Sequence, residues 1–357
     1  AKHVVANTHK TLVTVKPDPE KLTQLEEKLA KKLQKAKQKM QMDVVKEELE
    51  QFEKWNNAPT SQDVLAKIPK LSVSELSEEP KWIPQDHLDL EGVTVKKHPI
   101  DTQGVVYVTH YFDLKGLTEE EIKFLPLLTS TVGKMDTSQY SFKDLEVELF
   151  KVGGGLSQGI ETYRKKGEEL PFEARLAVST KALADQIPET LALVSHTLTQ
   201  TKFTDEKRFN EIFEEIKTRL ETSIGSSGFK YARLNSKAKL DTEGKFNNAI
   251  AGVPQLLFVR ELDRNKKAAQ VMRRLKQVAQ KVYRRDNLVV SLACSKSLCD
   301  KAMASLQEPV KSFPRLNVEP QQWTFASQKL FDGAAISGQV QFLSLTSRSD
   351  KMAELYG

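Results

Sequence analysis

Apolar residues near the start of the chain recur at Leu22, Leu25, Leu29, Leu33, Ala36 and Met40. Steps of three and four put them on one face of a helix. A second series, Val45, Leu49 and Phe52, runs to Trp55 and stops before Asn56-Asn57-Ala58-Pro59. Residues 19–57 are therefore expected to form a helical hairpin arm or hinge, as two long helices or one bent one. The segment holds few apolar partners of its own, so its stripe needs packing from elsewhere. Ahead of it, Lys10-Thr11-Leu12-Val13-Thr14-Val15 has strand character, and Lys16-Pro17-Asp18-Pro19 closes that strand and prepares the first helical turn.

The pattern changes near Gly104. Val105 to Phe112 is rich in β-branched and aromatic residues and predicts a strand buried on both faces. Thr118-Glu119-Glu120-Glu121 is a capping-box sequence, with Thr118 as N-cap and Glu121 reaching back. It starts a helix with Ile122, Leu125, Leu128 and Val132 on one face, and a short helix with Leu145 and Leu149 follows. Gly153-Gly154-Gly155 breaks that helix and leads into a strand through Ile160 to Arg164, with another over Ala174–Thr180. Helices are expected over about 185–199 and 205–222, the second gathering Phe209, Ile212, Phe213, Ile216 and Leu220. Helical sequence continues to about Arg285, and Asn287–Cys294 reads as a strand again.

Strands separated by consecutive helices predict the α+β class: a mainly antiparallel sheet with helices packed on one face, preceded by the long helical hairpin arm. The expected organisation is the end of a preceding domain at 1–18, the arm at 19–57 and an extended connector at 58–103. An α+β domain follows at 104–308, compact over 105–294 with the arm projecting from it. Residues 309–357 are expected to be a linker and one strand, Ser337–Leu345, of a truncated following domain. Ala1 opens without an initiator Met or a signal-peptide core, so the chain is read as the middle of something longer.

Composition narrows the classes. Hydrophobic residues make up 39% of 357, enough for a sizeable core, and no apolar run approaches the ~20 residues of a membrane span. Two cysteines cannot staple a chain of this size and suit a reducing compartment, cytoplasm or an organelle matrix of mitochondrial type. The 54 basic residues stand against 48 acidic ones, so nucleic-acid binding is not the default reading. Two basic stretches remain, Lys28–Lys39 and Arg260–Arg285, with Tyr283 as the one aromatic available for base stacking. In the second, Val271, Leu275, Val278 and Val282 form a core-facing stripe, so its charges read as a solvated face.

Candidate chemistry is sparse. None of the six histidines (His3, His9, His87, His98, His110, His196) sits in H-E-x-x-H or H-x-x-E-H, and no Cys or His cluster offers three convergent zinc ligands. Cys294 and Cys299 read as two ordinary buried or half-buried thiols. Gly155-Leu156-Ser157-Gln158-Gly159 matches the G-x-S-x-G elbow of serine hydrolases, which requires a strand before the Ser and a helix after it. Here the order is reversed. On one helix, Asp185 would lie ~16 Å and Glu189 ~10 Å from His196, too far to orient its imidazole. A Gly-rich turn is the simpler account, although three successive glycines at 153–155 also suit a backbone that must approach another surface.

The order of motifs resembles a known family. Lys16-Pro17-Asp18-Pro19 with its helical arm, then Val64-Leu65-Ala66-Lys67-Ile68-Pro69-Lys70-Leu71, is similar to the junction in presequence proteases and falcilysin, large zinc metallopeptidases of the pitrilysin/insulinase type. The likeness continues through Gly104-Val105-Val106-Tyr107, Phe112-Asp113-Leu114, Phe124-Leu125-Pro126-Leu127-Leu128, and Tyr140 with Leu145. Gly153-Gly154-Gly155-Leu156-Ser157 resembles the family's Thr-Gly-Gly-Ile-Ser turn, with Val152 and Gly153 departing from it. Lys181-Ala182-Leu183, Phe203-Thr204-Asp205, Gly228-Phe229-Lys230-Tyr231-Ala232-Arg233 and Gly252-Val253-Pro254 keep the family's order. The likeness covers about residues 8–345.

The resemblance implies two halves joined by a helical hairpin, each of two α+β domains, closing around a chamber that admits unfolded peptides. It implies zinc on H-x-x-E-H in the N-terminal half, and an Arg and a Tyr supplied by the last domain. This chain would hold the hairpin and the third domain: no metal or cofactor bound here, zinc in the parent enzyme, the catalytic half and unfolded peptides as partners, no membrane, nucleic acid disfavoured. The expected function is a non-catalytic hinge and chamber wall, inactive alone, with Gly153, Gly154 and Gly155 as candidate substrate or inter-half contacts and no catalytic residue. The rivals are a free-standing interaction protein on the same fold and an RNA-binding module.

Overall fold

The computed structural model describes residues 6–347 apart from 12, 15, 17, 19, 78, 80, 165–171, 266, 327–332 and 336–339. The chain divides into two compact units, residues 1–80 and 81–357.

The first unit holds α1 (Lys21–Lys39), α2 (Met42–Asn57) and a one-turn helix, α3 (Gln62–Leu65). Met40 and Gln41 are extended, so the arm is two helices and not one bent rod. Their apolar stripes stay in solvent: Leu25, Leu29 and Leu33 on α1, and Leu49, Phe52 and Trp55 on α2, are all exposed. Of the strand expected over 10–15, Lys10, Thr11, Val13 and Thr14 show no strand pairing, and Leu12 and Val15 lie outside the described residues.

The second unit is built on a sheet of β1 (Asp86–Leu90), β2 (Val93–Pro99), β3 (Val105–Asp113), β4 (Ser157–Tyr163), β5 (Glu173–Leu183) and β6 (Leu288–Cys294). Its spatial order is β1-β2-β6-β3-β5-β4. Every pairing is antiparallel except β2 with β6, where Thr94 to Pro99 run beside Val289 to Cys294. Helices α4 (Glu119–Ile122), α5 (Leu125–Thr131) and α6 (Phe142–Val152) join β3 to β4. Between β5 and β6 come α7 (Ile187–Gln200), α8 (Glu206–Ser226), α9 (Gly228–Lys237), α10 (Thr242–Ala251), α11 (Val253–Asn265) and α12 (Ala268–Val282), and α13 (Cys299–Ser312) follows β6.

Three expectations need correction. Residues 58–103 are not an extended connector throughout, because β1 and β2 occupy 86–99 and pair into the sheet. Their hairpin turns on Glu91 and Gly92, both with positive φ, the geometry that favours a two-residue loop. β3 is buried on one face only. Val106, Val108, His110 and Phe112 point into the core, while the residues between them are half-buried or exposed. The strand expected over 337–345 does not form at 340–345, and 337–339 lie outside the described residues.

Helices pack on a single face of the sheet, as the α+β reading predicts. Against the inner residues of β3, β5 and β6 (Val108, Phe112, Leu176, Val178, Val290 and Leu292) lie Leu191 and Val194 of α7, Leu275 and Val278 of α12, and Leu306 and Val310 of α13. The capping box forms as read: the Thr118 hydroxyl accepts from the Glu121 amide at 3.3 Å, and the Thr118 amide donates to Glu121 at 3.0 Å. Burial opposes ionisation of Glu121. The Lys281 ammonium at 2.8 Å and the Thr118 amide outweigh it and hold the carboxyl below its ordinary range, which ties α4 to α12. His110 lies between Phe112 and Phe313, ring centres 6.4 and 6.0 Å away, with no hydrogen-bond partner on either ring nitrogen. Burial pushes its pKa down to about 4, so it sits in the core as a neutral ring.

After α13 the chain crosses the end of the unit as an extended strap. The Arg285 amide donates to Pro314 O and the Gln321 amide to Lys115 O. Trp323 Nε1 donates to Leu117 O at 2.7 Å, and the Trp323 indole lies 5.3 Å from Phe246 and 5.8 Å from Phe172. Glu119 receives the amides of Thr324 and Phe325, both at 2.8 Å. The linker expected from 309 is therefore anchored through Phe325.

Candidate functional site

Strand alternation leaves the second sheet face to solvent, and the register says what it carries. Tyr107 stands opposite Lys181, Thr109 opposite Ser179, and Tyr111 opposite Ala177. Ser157 and Gly159 of β4 continue the last two rows beside Ser179 and Ala177. The middle of this face is small and polar, with the Thr109 and Ser179 hydroxyls 3.0 Å apart. Tyr107 is 45% exposed, and Tyr111 meets Tyr163 edge-on at 6.5 Å. Burial first, and then the adjacent Glu161 carboxylate, push the Tyr163 phenol up, so it stays neutral and can donate a hydrogen bond.

Gly153, Gly154 and Gly155 make the corner where α6 turns into β4 beside this face. The Gly154 amide donates to Lys181 O at 2.7 Å, and the Thr180 hydroxyl donates to Gly155 O at 2.9 Å. A β-carbon on Gly153 would lie 3.0 Å from Thr190 Cγ2, and one on Gly154 only 2.6 Å from Lys181 Cγ. Gly155 has φ +80°, the left-handed region that favours glycine. The three glycines thus let the turn close against the end of β5 and the start of α7 within its own unit. Outside the corner stand Phe150, 67% exposed, and the Lys181 side chain.

The other candidates are not brought together. Ser157 begins β4, with a helix before it and a strand after it, the reverse of a nucleophile elbow. His196 meets Thr137 Oγ1 at 3.1 Å and the edge of Tyr140, with its pKa lowered by burial. Asp185 pairs with Lys301 at 2.6 Å. No nucleophile–base–acid line can be drawn through them. The residues also do not fit a zinc site: His110 is enclosed by phenyl rings, His196 is taken by a threonine, and among the described residues no three His, Cys, Asp or Glu side chains converge. No helix of the described residues is long and apolar enough to cross a membrane.

The face carries hydroxyls, phenol rings and the Lys181 ammonium, with Lys96 in the Thr109 row across β6 and Glu161 beside Arg175 at the β4 edge. Tyr107 and Lys181 lie in motifs quoted from the sequence but were not assigned to a surface there, and Phe150 lies in none of them. The outward phase of β3 would have exposed Tyr107 had the strand been taken as one-sided.

Comparison with known proteins agrees in extent with this architecture. The chain is 23% identical over 346 residues to Protein HypA of Clostridium perfringens, covering 96% of this chain and 36% of that protein. It is 24% identical over 317 residues to presequence protease 1, chloroplastic/mitochondrial, of Arabidopsis thaliana, covering 87% of this chain and 29% of that one. The chain thus spans about a third of the length of the curated relatives it matches. A crystal structure of a peptidase M16 inactive domain from Pseudomonas fluorescens is 14% identical and aligns over 68% of this chain and 53% of its own, with a TM-score of 0.45. The sequence profile of the family associated with M16 peptidases of subfamily C matches residues 15–262, from the arm through β1–β5 and into α11 but short of β6, and the chain belongs to that peptidase-associated family.

Proposed function

We propose that this chain is a non-catalytic segment of a zinc metalloendopeptidase that degrades unfolded peptides, supplying a hinge through α1 and α2 and part of a chamber wall through the sheet. The bare sheet face carries the reading. A six-stranded sheet covered by helices on one side presents hydroxyls, Tyr107 and Lys181 on the other, chemistry that holds extended backbone without cutting it. Zinc and the attacking water belong to the catalytic half, the partner of this segment. Relatives from Arabidopsis thaliana and Drosophila melanogaster are named for mitochondria or chloroplasts and Protein HypA is bacterial, so an organelle matrix and a bacterial cytoplasm both suit this segment.

Reconstitution tests this. The chain alone should not cleave an unfolded peptide, and adding it to the separately produced catalytic half should restore cleavage that a chelator blocks. Failure of the two pieces to associate, or cleavage by this chain alone, would remove the reading. Gly154→Val then probes the corner. If peptide or the other half contacts it, folded protein persists while turnover per folded molecule is lost. If the glycine serves only the turn against Lys181, turnover per folded molecule is unchanged and stability alone falls.

A further inference from the structure

β6 ends at Cys294 and α13 begins at Cys299, with one 3-10 turn, Lys296–Leu298, between them. Both thiols are buried and free, and their sulfur atoms are 3.0 Å apart. The Cys299 sulfur also lies 3.7 Å from the carbonyl oxygens of Cys294 and Ser295. Sulfurs in a disulfide are ~2.05 Å apart, so a bond would need these two to close by about 1 Å, a shift that small side-chain rotations supply. Lys296 and Ser297 of the turn are exposed, so local opening there gives a small solute a short path to the pair. Cys294 faces the helix layer, away from the open sheet face, so the proposed peptide surface does not use it.

We propose that Cys294 and Cys299 form a dithiol modification site, oxidised by hydrogen peroxide to an intramolecular disulfide that clips the end of β6 to the start of α13. Cys299, beside the exposed turn, reacts first. Its sulfur takes one peroxide oxygen as the O–O bond breaks, giving a sulfenic acid, and the thiol proton leaves with the other oxygen as water. The Cys294 sulfur then attacks the sulfenic sulfur. The S–S bond forms, the S–O bond breaks, and the hydroxyl leaves with the Cys294 proton as a second water. Two thiols have lost two electrons and two protons, and peroxide has been reduced to two waters. Burial, and next the adjacent Cys299, push the Cys294 thiol up to about 12. Its proton must therefore leave as its sulfur attacks the sulfenic acid, so the linkage should form faster as pH rises.

The full chain, treated with hydrogen peroxide at neutral pH in native buffer and in urea, tests the site. Remaining thiols are alkylated in denaturant, and the protein is digested with trypsin without reduction. Cleavage after Lys296 separates Cys294, in residues 286–296, from Cys299, in residues 297–301. The expected product is these two peptides joined, roughly 2 Da lighter than their sum, lost on reduction, and a larger share of the oxidised cysteine in native buffer than in urea. Cys294→Ser should leave a sulfenic acid on Cys299 that dimedone captures. Separate sulfinic acids on the two cysteines, thiols untouched at a peroxide dose that oxidises the chain in urea, or a smaller linked share in native buffer than in urea would each overturn the proposal.

Discussion

Helices α1 and α12 carry the same kind of sequence and meet different fates. Each is rich in basic residues, and each sets aliphatic side chains at helical spacing. On α12 the stripe Val271, Leu275, Val278 and Val282 is buried, against α5, α7 and α8. On α1 the matching stripe is open, with Leu29 still 55% exposed. Periodicity reports which face a helix would bury. It does not report whether a partner is present, and most helix stability in a folded protein comes from that partner. The α12 lysines and arginines are a solvated face over a core stripe, while the α1 stripe is built like an interface and is uncovered among the described residues.

Truncation separates the two helices most sharply. Leu275→Ala should cost about 2–5 kcal/mol in chemical denaturation, because it leaves a cavity in the shared core. Leu29→Ala should move the same curve by no more than about 0.5 kcal/mol. If a catalytic half covers α1, Leu29→Ala should instead weaken association with that half, read by titration calorimetry.

The core of the second unit predicts a pH signature. The folded pKa of His110, about 4, lies below its unfolded value of 6.5. Between these values the unfolded chain binds a proton that the folded chain does not, so stability is full above about pH 6.5 and falls as pH drops towards 4. Over that window the loss from this one ring is about 3 kcal/mol, and His110→Leu should remove it from the pH dependence of the denaturation midpoint. A slope unchanged by the substitution would place the titration elsewhere.

The charged side of α12 gives a smaller effect. Lys281→Met removes the partner of the buried Glu121 carboxylate, yet the lysine end of the pair is partly wet, so a cost of about 1–2 kcal/mol is expected. Equivalent loss of Lys32 from α1 should leave stability unchanged. The cap contributes less than the Glu121–Lys281 pair: Thr118→Ala should cost about 1 kcal/mol and leave α12 untouched.

Features set by neighbours in sequence were legible. The capping box at Thr118, the outer ends of the arm near Lys21 and Asn57, the helix–Gly–strand order at 153–155 and the core stripe of α12 each follow from a few adjacent residues. β1 and β2 were not legible. Asp86-His87-Leu88-Asp89-Leu90 is polar and pairs at the sheet edge, and β2 is held by a parallel neighbour almost two hundred residues away. β3 was misread for a related reason. Its run Val105-Val106-Tyr107-Val108 is apolar on both sides, and only the placement of all helices on one face decides which side is covered. The glycines announced a turn, but nothing local names Lys181 and Thr190 as what it closes against.

The position of β6 has a consequence for how the chain comes to be folded. The last strand in sequence among the described residues fills the middle of the sheet, between β2 and β3. A ribosome adding about 5–20 residues per second needs roughly 10–40 s to pass from the end of β2 at Pro99 to the end of β6 at Cys294. Throughout that interval β2 and β3 both present an unpaired edge, each able to template pairing with another nascent chain. Closure of that seam is a late, non-local event that should limit the folding rate. A truncation before Leu288 is thus expected to yield aggregate, and one that keeps β6 and α13 to yield a folding unit.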